Sequence, residues 1–186
     1  MEKSMVAPDK ELRIYGNEVY IRPITVEDTD MVLGWRNSKR TVENFFYRKP
    51  ISREEHLDWI ENKVNKGLVH QFVVCSIKDD TPMGVVYLQH FDENANKMES
   101  GVFMSENAPS GRGIATEAVK LLVYDYGFKV LGLHKQFARV LGSNEASKRL
   151  HIKAGFKEEG YATDDMFLDG KYVDVVTYGV INPEEK

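Results

Sequence analysis

Residues 109–116 read Pro-Ser-Gly-Arg-Gly-Ile-Ala-Thr, and small residues at this density let consecutive backbone N–H groups approach an anion closely. If a helix starts here, its dipole adds to that attraction. A glycine loop can also serve only to turn the chain, so the surrounding residues decide between the two readings. Further on comes Asn144-x-x-Ser147-x-x-Leu150-His151-x-Lys153-x-Gly155-Phe156, a helical pattern with polar groups on one face. The single cysteine, Cys75, is a potential nucleophile. It lies in the apolar run 72–77, where burial raises a thiol pKa, so a core role is expected.

The elements that must position these groups follow from periodicity. Residues 19–24 alternate like a strand, and Thr25-x-x-Asp28 offers the N-cap of a helix running toward Trp35. Ser52-x-x-Glu55 opens a second helix over 53–66, which Gly67 should end. Runs 71–77, 83–91 and 97–104 are separated by Asp79-Asp80-Thr81-Pro82 and by residues 92–96, as in an antiparallel meander. The pattern then changes to a helix marked by Ile114, Ala118, Leu121 and Leu122, a strand over 135–141 and a helix over 144–154. Strand, helix, strand and helix in succession imply a parallel crossover. A strand over 156–162 and an Asp169-Gly170 hairpin signal leading into 173–181 close the chain. The expected fold class is α/β (α+β), with a mixed sheet and helices on both faces.

The 186 residues suit one domain that buries a core without disulfides. The expected division is a polar leader over 1–18, a single domain over 19–181 and a tail over 182–186. Composition, 42% hydrophobic with 11% aromatic, excludes a disordered or fibrous class. A net charge of −4 without a long basic run argues against nucleic acid as partner. One cysteine rules out a disulfide framework or thiolate metal cluster, and no metal is expected. No apolar stretch has membrane-spanning length and residues 1–5 lack a signal-peptide core. A cytoplasmic protein without membrane association is the expectation.

Taken together, the 109–116 loop and the 144–156 motif resemble the GNAT acetyltransferase superfamily, over residues 19–181. One departure is Ser110, where a long Gln or Arg is usual; the backbone donors of the loop survive it. The resemblance implies acetyl-CoA as cofactor. Its pyrophosphate would lie on Ser110, Gly111, Arg112, Gly113, Ile114, Ala115 and Thr116. Its pantetheine would pair with the backbone of Phe103, Met104 and Ser105, where a bulge splays two parallel strands, and with Asn144 and Ser147. For Asn144, a plain helix N-cap is the alternative.

The activity so implied is acetyl transfer by direct attack of a primary amine. Such an amine has a pKa of roughly 10, so a base must take its proton. Two groups are candidates: Glu99, where many relatives place a carboxylate, and His90 at the end of the preceding strand. His151 stands where relatives carry the tyrosine that protonates the leaving thiolate, and is otherwise a helix-face residue. The region covering the acceptor contributes Trp35, Arg36, Asn37, Phe46, Tyr47 and His56. With 52–59 it resembles the amino-sugar N-acetyltransferases of pseudaminic acid synthesis, implying a nucleotide-linked amino sugar. The later half is similar to ribosomal-protein N-terminal and spermidine acetyltransferases. The acceptor is thus a small-molecule amine or an N-terminal peptide, and a homodimer is compatible with the sequence. A non-catalytic acetyl-CoA-binding module is the rival outside enzymology.

Overall fold

A computed structural model describes residues 5–185; residues 1–4 of the expected leader and Lys186 of the expected tail lie outside the described residues. Eight strands form one sheet: β1 (Ile14–Tyr15), β2 (Val19–Pro23), β3 (His70–Ser76), β4 (Pro82–Asp92), β5 (Lys97–Met104), β6 (Lys135–Leu141), β7 (Lys157–Leu168) and β8 (Lys171–Ile181). Their order is β1-β2-β3-β4-β5-β6-β8-β7. All neighbours are antiparallel except β5 and β6.

Alternation along the first strands explains why helices cover both faces. Val19 and Ile21 of β2 and Phe72 and Val74 of β3 enter one core, whereas Tyr20, Val73 and Cys75 enter the other. A strand buried on both sides needs cover on both sides. The first core is closed by α4 (Ile114–Lys120), which continues in wider π-type turns over Leu121–Phe128, and by residues around α5 (Glu145–Lys153). The second is closed by α1 (Thr29–Arg36) and α3 (Arg53–Trp59), the latter continuing over Ile60–Val64. A short α2 (Lys39–Glu43) joins them.

The helix α3 starts with a capping box. Ser52 Oγ accepts the Glu55 amide at 3.1 Å while Glu55 Oε2 accepts the Ser52 amide at 2.7 Å. Asp28 accepts the Thr25 amide and also holds Arg22 through two bonds of 2.7 and 2.8 Å. Asp28 is buried. Burial pushes its carboxyl pKa up, but the Arg22 guanidinium and the Thr25 amide bring it below the usual range.

Two features of the sheet position the site. First, the parallel pairing of β5 with β6 covers only Lys97↔Lys135, Met98↔Gln136 and Glu99↔Phe137. Beyond Glu99 the strands separate, and the β6 side of residues 100–104 has no partner strand. Second, the bulge expected on the central strand lies instead on β4. Gln89 opposes Glu99 and Asp92 opposes Lys97, so β4 carries one extra residue there, and His90 takes the left-handed conformation with φ of 56°.

Candidate active site

The separation of β5 and β6 opens a cleft of about 830 Å³ between the two strands, the 109–116 loop, the start of α5 and the chain around α2. At the loop, Gly111 and Gly113 have φ of 78° and 75°, and a Cβ on either would meet nothing within 4 Å. Gly113 is the N-cap of α4 and no side chain caps the helix. The first amides of α4, which have no intrahelical acceptor, therefore belong to Ile114, Ala115 and Thr116, all lining the cleft. Uncapped amides, a positive helix end and open space before them fit a diphosphate.

Phe103, Met104, Ser105, Ser110, Gly111, Gly113, Ile114, Ala115, Thr116, Asn144 and Ser147 all line the cleft. Arg112 does not: its Nη2 donates to Glu18 Oε2 at 2.7 Å, an exposed ion pair that draws it away from the loop's inner side. Asn144 is the N-cap of α5, its Oδ1 accepting the Ser147 amide at 3.1 Å. Among the described residues its Nδ2 donates to no partner.

Glu99 forms the cleft wall where the strands part, and it is buried. Arg139 Nε donates to its Oε1 at 2.9 Å, and Arg139 Nη2, His90 Nδ1 and Gln89 Nε2 reach its Oε2 at 3.2, 2.7 and 3.4 Å. Burial alone would raise the Glu99 pKa, but the Arg139 hydrogen bonds and charge, then His90, hold it below the usual carboxylate range. The group is a fully engaged carboxylate, a weak proton acceptor for an ammonium. His90 is half exposed beside it and, unlike Gln89 and Glu99, is not among the residues that line the cleft.

His151 lies in the cleft wall but is buried. Its Nδ1 donates to Ser147 O at 2.8 Å, so Nε2 holds the lone pair. The ring stacks on Tyr178 at 5.9 Å and meets Phe156 edge-on. Burial lowers its pKa, more than the Ser147 bond raises it. In this tautomer Nε2 carries a lone pair rather than a proton, and it has no hydrogen-bond partner among the described residues.

Of the six acceptor-side candidates only Phe46 lines the cleft. Trp35 packs in the second core. His56 is buried, 3.3 Å from Thr29 Oγ1, between α1 and α3. Asn37 spends its amide on both backbone groups of Ile51. Arg36 is buried beneath the Phe45 ring, donating to Tyr47 O at 2.7 Å, and Tyr47 itself is exposed. These side chains support the chain around α2 from beneath, and Arg40, Thr41, Asn44, Phe45 and Phe46 form the surface it turns to the cleft. The cleft residues not anticipated include Arg40, Thr41, Asn44, Tyr87, Arg139 and Arg149. Arg139 carried a signal in the sequence as the one charged residue in the interior of the run 135–141.

Comparison with known proteins agrees with this geometry. The profile of the acetyltransferase (GNAT) domain matches residues 18–157. A probable N-acetyltransferase of Bacillus subtilis, YjcK, is 29% identical, covering 92% of this chain and 98% of the relative. The spermidine N(1)-acetyltransferase of Vibrio cholerae is 28% identical over 75% of this chain and 79% of its own. A solved structure of a Vibrio cholerae spermidine N-acetyltransferase in complex with CoA and spermine superposes with a TM-score of 0.79 at 22% identity, covering 89% and 96%. The family match and the splayed mixed sheet with an open glycine turn at its opening point to the same class of protein. The chain belongs to the GNAT acetyltransferase family and is an acetyl-CoA-dependent N-acetyltransferase.

Proposed function

We propose that this enzyme acetylates the primary amine of a nucleotide-linked amino sugar by direct attack on acetyl-CoA, in the cleft between β5 and β6. The observation that carries the acceptor reading is the charge of the cleft wall: Arg40, Arg139, Arg149 and Lys153 against Glu99 and Glu106. Asp165, close enough to act on Arg139, still leaves cations in excess, four to three. Glu99 is already tied to Arg139, and Phe46 packs over that guanidinium at 5.4 Å. A polycation gains little from such a wall, whereas a diphosphate linked to a sugar meets arginines and aromatic faces.

When bound, acetyl-CoA supplies an activated acetyl thioester. Ile114, Ala115 and Thr116 would hold its pyrophosphate with their amides, and the unpaired β6 side of residues 100–104 would align the pantetheine arm. The protein's contribution is then to position the amine and receive its proton near Glu99. A second reading, polyamine acetylation, is supported by the names of relatives at 28–29% identity, and a protein N-terminus by a putative ribosomal N-acetyltransferase at 27%. No described helix is long and apolar enough to cross a membrane, in keeping with our reading of a cytoplasmic enzyme. Coenzyme-thiol release over nucleotide-linked amino sugars, polyamines and ribosomal-protein N-terminal peptides tests the reading. Turnover confined to the amino sugars is expected, and a preference for spermidine would overturn it.

A further inference from the structure

Adjacent residues of a strand point to opposite faces, yet Gln89 and His90 both reach the same carboxylate oxygen of Glu99. The extra residue in β4 makes this possible, with His90 held at φ of 56°. A non-glycine residue in that region is strained, and such strain concentrates at functional sites. Three donors from two strands therefore converge on one buried carboxylate, Gln89 and His90 from β4 and Arg139 from β6, across the strand separation. Arg139 sits two residues beyond Phe137, the last β6 residue paired with β5, so its bond to Glu99 bridges the strands as they part.

We propose that Arg139, Glu99 and His90 form a relay in which Arg139 and Glu99 are positioning residues and His90 Nε2 accepts the acceptor amine's proton. A carboxylate only accepts, so His90 Nδ1 carries the ring hydrogen and donates to Glu99. The lone pair is then on Nε2, in a side chain that is half exposed. Orientation of a base by a third group is a general device of proton-transfer sites. Arg139 engages both Glu99 oxygens, which fixes the rotamer that His90 needs. The ammonium proton passes to His90 Nε2, and the freed electron pair forms the bond to the thioester carbonyl carbon. The carbon–sulfur bond breaks toward sulfur, and the second amine proton goes to the departing thiolate. His90 returns its proton to solvent.

The inference rests on the N-acetyltransferase reading, and its test separates the two. In the ¹⁵N-histidine spectrum of the full chain, assigned with His90→Gln, neutral His90 should appear as the Nδ1–H tautomer. In Glu99→Gln the amide oxygen turns to the donor-only Arg139 guanidinium, its NH2 meets His90 Nδ1, and the ring hydrogen moves to Nε2. With whichever amine the enzyme acetylates, His90→Gln and Glu99→Gln should each lower kcat about 100-fold or more. The double variant should be no slower than either single one, with KM for acetyl-CoA unchanged. Arg139→Gln should lower kcat as well, and Arg139→Lys should recover part of the loss. An Nε2–H tautomer in the wild type, full kcat in His90→Gln, or multiplicative losses in the double variant would overturn the relay. Absence of turnover on every amine would count against the acceptor reading, while the tautomer still decides the relay.

Discussion

At the scale of single residues, the site depends on groups whose charge state the fold dictates. Glu99 is held ionised by Arg139 despite burial, and His151 is held neutral by burial. Asp28 offers the most direct check of such control. Its folded pKa is depressed, so its contribution is complete above the unfolded value of about 3.9 and disappears as pH falls through the folded value. Asp28→Asn should cost about 3 kcal/mol near neutral pH, as for a buried pair losing one partner. The gap between the urea midpoints of the two proteins should narrow in acid; a pH-independent gap would show that the ion pair is not its source. Gly101 is constrained by space rather than charge: a Cβ there would run into the Tyr87 ring. Gly101→Ala should lower stability by about 1–3 kcal/mol by overpacking, readable as a reduced denaturant midpoint.

At the scale of elements, local rules carried far. The capping box at Ser52 starts its helix where expected, with Gly67, φ 67°, following its end, whereas Thr25 opens a 3-10 turn over Val26–Asp28 that leads into α1. Asp169 and Gly170 both adopt positive φ in a two-residue hairpin, as their chemistry dictates. Gly170→Val should therefore destabilise the β7–β8 hairpin by about 1–2 kcal/mol, seen as faster amide exchange confined to that hairpin. Elements set by long-range contact were not legible. β1 is two residues long and exists because Ile14 and Tyr15 pair with β2. The insertion of β8 between β6 and β7 leaves no local trace, since both neighbours are antiparallel to it. The open glycine turn before α4 was legible because glycine and a helix start announce backbone chemistry. The acceptor side was not, because Trp35, Arg36, Asn37 and His56 have the same residue types whether they face a ligand or support a loop. Arg139 escaped notice because its partner Glu99 is distant in sequence.

At the scale of the whole molecule, the two cores stabilise opposite faces of one sheet, and the cleft lies where the sheet opens rather than on a separate surface. Binding at such a place stabilises the folded state through linkage. Acetyl-CoA at a hundredfold excess over its Kd should add about 2.7 kcal/mol, or roughly 5–10 °C in Tm for a chain of this size. The central claim is that the open glycine turn before α4 holds the cofactor's pyrophosphate. Calorimetric titration of acetyl-CoA into the wild type and into Gly113→Val, with folding of the variant checked by circular dichroism, tests it most directly. The side chain would fill the space beside the first amides of α4, so binding should be saturable in the wild type and undetectable in the folded variant. Equal affinity in the two proteins would contradict the account.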